Sequence, residues 1–212
     1  MIQGVRHIIF DLGGVLLNLD YQRTEQAFID LGIANFGQLY SQLQQTPIFD
    51  QLETGKIGQA EFVKAIQDIS GLALSEAQII AAWNAMLLDF PLRRLQILQQ
   101  LRNHYDLFLL SNTNEIHEAA FNKTLLDDHN ISNIGLFFDR AYLSHRVGLR
   151  KPMKEIFLHV LEENGLRPEH TLFIDDSPQH IETAKLLGIQ TIYLEKGMTI
   201  ETHIFKPKTQ SA

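Results

Sequence analysis

The 212-residue chain has no cysteine. That excludes a disulfide framework and any thiolate metal site, and makes a reducing compartment the simpler expectation. It also lacks an apolar stretch approaching the length of a membrane span. The opening MIQGVRHIIFDL carries too few apolar residues ahead of Asp11 for a signal-peptide core, so a cytoplasmic location is expected, with no membrane partner. Basic clusters are missing too, and the net charge is −7. Phosphate-backbone binding needs a basic face, so nucleic acid is not the expected partner. A small anion stays compatible, because a local site can be positive on an acidic protein. What the chain does have is 45% hydrophobic residues, 9% of all residues being aromatic. At this length that suits one substantial core, or one core carrying a smaller insert.

Short β-rich apolar runs occur at Ile8–Phe10, Leu107–Leu110, Arg140–Leu143, Leu172–Ile174 and Thr191–Leu194, and helical patterns separate most of them. This alternation predicts an α/β fold with a Rossmann-like parallel sheet. Leucine at 92, 95, 98 and 101 marks one helical face, and Ile156, Phe157, Val160 and Leu161 mark another over 152–164. Gly165 and Gly188 follow two helices as stops. Between the first two strands lie roughly a hundred residues, far more than one crossover helix needs. Residues 18–90 read as an inserted helical unit: 21–31 stopped by Gly32, 36–45 before Pro47, 59–69, and 75–86 with Ser75 and Gln78 at capping-box spacing. The expected division is an α/β core of residues 1–17 and 91–205, a helical insert of 18–90, and a polar tail from 206 to 212. Trp83 and the phenylalanines of the insert recur at helical spacing and are expected in its core.

Open parallel sheets bind ligands beyond the carboxyl ends of their strands. Four such ends carry polar residues here: Asp11, Ser111-Asn112, Arg150-Lys151-Pro152 and Asp175-Asp176. Asp11, followed by Gly13-Gly14, reads equally as a turn residue. Asp175 and Asp176 near a third carboxylate would repel unless a cation neutralised them or one held a proton. Mg²⁺ suits such a set, because it prefers oxygen ligands and keeps positions for water and phosphate. The same two residues could instead cap the next helix, whose Pro178 fits a first-turn position. Lys151 precedes Pro152 at an expected helix start, where the macrodipole disfavours a cation unless an anion binds. Taken singly, Lys151 also reads as a solvated surface lysine and Ser111 as a turn hydroxyl.

Taken together, FDLGGVL, LLSNTN, GLRKP and FIDDS resemble the four ordered motifs of the haloacid dehalogenase-like hydrolases, over nearly the whole chain and with a helical insert after the first motif. The longer stretches YLSHRVGLRKP and FIDDSPQHIETAKLLGI look like bacterial phosphatases acting on sugar phosphates such as alpha-D-glucose 1-phosphate. The resemblance implies a Mg²⁺-dependent phosphatase of small phosphorylated metabolites. It implies Asp11 as a nucleophile that becomes an aspartyl phosphate, Gly13 as a backbone carbonyl ligand of the metal, and Ser111 with the Asn112 amide as phosphoryl-binding groups. Lys151 would screen nucleophile and phosphate. Asp176 ranks first as metal ligand and Asp175 second, alongside Asp11 itself. The insert would be a cap closing over the site, with the segment QLETGKIGQAEF at 51–62 as a cap turn.

Two positions depart from the family pattern. An acid usually stands two residues after the nucleophile, where it protonates the leaving oxygen; here that residue is Gly13, and Asp20 and Glu53 are candidate substitutes. His180 replaces a frequent fourth-motif acid, which puts the support of the metal site in question. Two other readings follow. A 2-haloacid dehalogenase would use Asp11 without metal, but those relatives lack the fourth-motif acid. A phosphate-binding relative with little turnover would follow from Gly13.

Overall fold

The computed structural model describes residues 2–34, 36–39 and 47–206. Five parallel strands, β1 (His7–Phe10), β2 (Asp106–Ser111), β3 (Arg140–Leu143), β4 (Thr171–Asp175) and β5 (Gln190–Tyr193), form one sheet in the order β3-β2-β1-β4-β5. The central strands β1, β2 and β4 are nearly continuous apolar runs, as a sheet covered on both faces requires, while the edge strands β3 and β5 are more polar. Alternate residues feed two separate clusters. Ile8, Phe10, Leu107, Leu109, Leu172 and Ile174 pack on one face; Ile9, Phe108, Leu110 and Phe173 pack on the other. Helices α6 (Leu92–Leu101) and α7 (Glu115–His129) contribute to the first cluster; past the short α8 (Ser144–Val147), α9 (Lys154–Asn164) and α10 (Pro178–Leu186) contribute to the second. Because the chain order reverses direction at β1, the carboxyl ends of β2, β1 and β4 lie side by side. That is the crevice position of an open α/β sheet.

Among the described residues, five helices stand between β1 and α6: α1 (Tyr21–Asp30), α2 (Phe36–Leu39), α3 (Pro47–Glu53), α4 (Gln59–Ser70) and α5 (Glu76–Asn84). They bury their own cluster, in which Trp83, 1% exposed, stacks on Phe49 at 5.2 Å while Phe28 stacks on Phe36 at 3.9 Å. Ser75 caps α5 with the expected reciprocal bonds to Gln78. The chain enters and leaves this unit through paired segments: Asn18 N–H donates to Asp89 O and Leu88 N–H to Asn18 O, each at 3.0 Å. α5 is also tied to α7, since the Trp83 carbonyl accepts from His117 Nε2 at 3.1 Å as well as from the Thr24 hydroxyl at 3.0 Å.

One expected boundary shifts, and α3 and α7 were not expected. The helix expected from Pro152 starts at Lys154, and Lys151-Pro152, joined by a cis peptide, lies in a turn. α3 and α7 had no periodic signature; the apolar residues of α7 are spread around its circumference. Its start was readable, because Asn114 caps it by accepting from His117 N–H ahead of Glu115 and Glu118. Residues 40–45 of the expected second helix and 207–212 of the expected tail lie outside the described residues.

Candidate active site

Asp11 extends the pairing of β1 by one residue, its N–H donating to Ile174 O at 2.9 Å. The chain then turns tightly, with the N–H groups of Leu16 and Leu17 both donating to Leu12 O. Gly14 sits in this turn at φ +72°, and a Cβ there would meet Asp176 Oδ2 at 2.1 Å. Only glycine permits both the conformation and the approach of the two loops. Gly13 has no such backbone demand. A Cβ on Gly13 would lie 2.5 Å from Leu19 Cδ1, so Leu19 occupies the direction in which an acid at position 13 would grow.

Lys151 is fully buried, which rules out the solvated-lysine reading. Its Nζ donates to Asp11 Oδ1 at 2.7 Å and to Asp175 Oδ2 at 2.8 Å. The Asn112 side chain holds its backbone from both sides: Lys151 N–H donates to Asn112 Oδ1 at 2.9 Å, and Asn112 Nδ2 donates to Lys151 O at 2.8 Å. The Asn112 side chain is therefore committed to positioning lysine.

The neighbouring acids of the fourth motif separate in role. Asp175 is fully buried and turned inward, accepting from Lys151, from Ser177 N–H at 2.7 Å, and from His180 Nδ1 at 3.0 Å. Asp176 instead lines the cavity together with Asp11 and Lys151. His180 thus braces the acidic loop in place of the absent carboxylate.

Charge explains the titration of the cluster. Carboxylate oxygens of Asp11, Asp175 and Asp176 all lie within 4.8 Å of one another. Burial pushes Asp11 up to about 7, with Lys151 opposing and Asp175 and Asp176 adding to the rise. Burial, then Asp175, pushes Asp176 up to about 6. For Asp175, burial is outweighed by Lys151 and His180, which hold it at about 2. Burial would lower Lys151, but Asp11 and Asp175 outweigh it and raise the ammonium above its usual range. One ammonium facing three close carboxylates leaves excess negative charge. This hard oxygen donor set fits a divalent cation such as Mg²⁺.

The cavity over these groups has a volume of about 90 Å³ and is walled from the helical unit by Leu19, Tyr21 and Glu53. A second cavity of about 60 Å³ adjoins it, sharing Gly13, Leu19, Tyr21, Glu53 and Asn112. Ser111 lines this second space, not the first. Asp20 caps α1 through Gln22 N–H, pairs with Arg23 and lines neither cavity. Sequence reasoning placed Arg150 at a polar strand end but gave it no role. Its Nη1 lies 3.1 Å from Asp50 Oδ1 and its Nη2 3.1 Å from Glu53 Oε2, both on α3. Its position beside Lys151 was the one available signal.

A family model described as haloacid dehalogenase-like hydrolase matches residues 5–188. The chain belongs to this family. As a haloacid dehalogenase-like hydrolase, it is 34% identical over 194 residues to the D-ribitol-5-phosphate phosphatase of Bacteroides thetaiotaomicron, covering 91% of this chain and 93% of the relative. Among solved structures, a family enzyme of the same organism, an aspartate-to-alanine variant with magnesium and inorganic phosphate, superposes with a TM-score of 0.90. That pair is 37% identical, over 96% of this hydrolase and 100% of the other chain. A predicted family hydrolase of Porphyromonas gingivalis is 31% identical with a TM-score of 0.86, covering 95% and 96% of the two chains. The curated relative is thus named for a polyol phosphate, not for the alpha-D-glucose 1-phosphate of the narrower resemblance.

Proposed function

We propose that this hydrolase is a Mg²⁺-dependent phosphatase of small phosphorylated metabolites, sugar and polyol phosphates among them. The observation that carries it is the buried cluster of Asp11, Lys151, Asp175 and Asp176 at the carboxyl ends of β1 and β4, with Asp11 and Asp176 shifted upward by burial and, after it, by the neighbouring carboxylates. The phosphatase relative and the magnesium and phosphate of the similar structure support the same reading. Asp11, the Gly13 carbonyl and Asp176 would hold Mg²⁺, with Asp175 behind them. When bound there, Mg²⁺ would offset the repulsion between carboxylate and phosphate.

Asp11 attacks phosphorus; an oxygen–phosphorus bond forms as the ester bond breaks, leaving an aspartyl phosphate that water then hydrolyses. Lys151 holds Asp11 at 2.7 Å, orients its free oxygen towards the cavity and screens the approaching phosphate. The Ser111 hydroxyl and the Asn112 backbone bind phosphoryl oxygens. We read α1–α5 as a cap whose inner wall meets the leaving group, and place the enzyme in the cytoplasm. Among the described residues no helix is long and apolar enough to cross a membrane.

The test is hydrolysis of p-nitrophenyl phosphate with and without EDTA, using Asp11→Asn as control. Metal-dependent release that vanishes in Asp11→Asn is expected. Chloride release from 2-chloropropionate in EDTA would point to a dehalogenase instead. Mg²⁺-dependent phosphate binding with no turnover on any ester would point to a binding protein, the reading that Gly13 and Leu19 favour.

A further inference from the structure

We propose that Glu53 and Arg150 form a hydroxyl-reading subsite, which makes polyhydroxylated phosphate esters, rather than simple alkyl or aryl ones, the substrates of this hydrolase. The inference rests on the phosphatase reading above and adds the class of leaving group. A buried glutamate requires a reason, since such residues are rarely withdrawn from water unpaired. Glu53 is 8% exposed, stands at the last position of α3, and lines both cavities beside Asp11. Arg150 lines the larger of the two and reaches Glu53 from the opposite side of the interface.

The pair has the chemistry of a diol reader. A carboxylate beside a guanidinium is favoured in its charged form, where it only accepts hydrogen bonds. Arg150 supplies the complementary donor. Nη1 and Nη2 engage Asp50 and Glu53 with one contact each, and each guanidinium Nη carries two N–H donors. One wall of the substrate cavity therefore presents a carboxylate acceptor and a guanidinium donor together. An alcohol carrying adjacent hydroxyls can satisfy both. An alkyl chain would desolvate both and return nothing, which is how hydrogen-bonding sites reject analogues that lack a hydroxyl.

The pair is also held in place. A Cβ on Gly55 would lie 2.1 Å from His145 O, and Gln59 N–H donates to Glu115, so the segment after Glu53 presses on the core at two points. A glycine at 55 is needed for this close approach, at φ +66°.

The experiment compares kcat/KM for ribitol 5-phosphate and n-pentyl phosphate, two primary esters of equal length, with p-nitrophenyl phosphate as a third substrate. Wild-type enzyme should prefer the polyol ester by about 10²-fold or more. Glu53→Gln should shrink that ratio by about tenfold or more, through the polyol ester. Arg150→Lys keeps the charge but removes Nε and the fork, and should shrink it too, which covers the case in which Glu53→Gln fails to fold. A wild-type ratio near one overturns the inference while leaving the phosphatase reading intact. An equal fall on both alkyl esters in Glu53→Gln, with p-nitrophenyl phosphate spared, also overturns it and marks Glu53 as a proton donor. No phosphate release from any of the three esters would instead overturn the phosphatase reading.

Discussion

The ammonium of Lys151 lies 2.7 Å from Asp11 Oδ1, although 140 positions separate the two residues. Both are buried, so this contact is made in a low-dielectric site where an unmatched charge is costly. Lys151→Met should therefore act on two measurements at once. Phosphatase activity should fall by about 10²-fold or more, on the scale of losing one preorganised electrostatic group. The thermal midpoint should also drop, because Asp11 and Asp175 lose their shared partner. An unchanged midpoint with activity retained would remove Lys151 from the site.

Gly14 faces Asp176 too closely for any side chain. Gly14→Ala should destabilise the fold by about 1–2 kcal/mol for the left-handed backbone alone, and more for the displaced carboxylate. Its sharper signature is metal binding: calorimetry with Mg²⁺ should show affinity reduced by tenfold or more. Mg²⁺ at a hundred times its wild-type Kd should stabilise wild type by about 2.7 kcal/mol, and stabilise Gly14→Ala less at the same concentration.

Leu19 packs over Gly13, in the direction a side chain at position 13 would take. Gly13→Asp alone should yield little gain, since its Cβ meets Leu19 Cδ1. Gly13→Asp combined with Leu19→Ala should raise kcat on alkyl esters, towards the 10²- to 10⁴-fold typical of general acid help. The gain should be small on p-nitrophenyl phosphate, whose leaving group needs no proton. Equal gains on both would argue against a restored acid.

His117 makes stability depend on pH away from the acidic cluster. Burial lowers it to about 4 from 6.5, with its bond to Trp83 O opposing only in part. Below pH 6.5 the unfolded chain takes up a proton that the native state refuses. The contribution is thus complete above pH 6.5 and lost as pH falls towards 4, amounting to about 3 kcal/mol over that window. Asp11 and Asp176, raised in the native state, act with the opposite sign as pH falls, so the loss is read as the difference between wild type and His117→Gln in urea unfolding at pH 7.5, 6 and 4.5, which should shrink towards low pH.

Much of this molecule was legible from local sequence. Apolar runs at 8–10, 107–110, 140–143, 172–174 and 191–194 all became strands, the central ones because a sheet covered on both faces demands nearly continuous apolar residues. The capping box at Ser75 set the start of α5 for an equally local reason. α7 escaped notice because its apolar residues share no single face. α3 likewise had no periodic signature.

By itself the sequence determined which residues end each strand, and so which side chains could meet: Asp11, Ser111, Lys151, Asp175 and Asp176. Strand periodicity and turn chemistry are local properties, and they are written in neighbouring residues. Only the tertiary structure decided how those side chains divide their tasks. Adjacent in sequence, Asp175 and Asp176 point to different environments, one to Lys151 and His180 and the other to the cavity. Arg150 and Glu53 meet because the helical unit folds back onto the core. Side-chain direction and burial arise from packing between distant segments, and no local pattern encodes them.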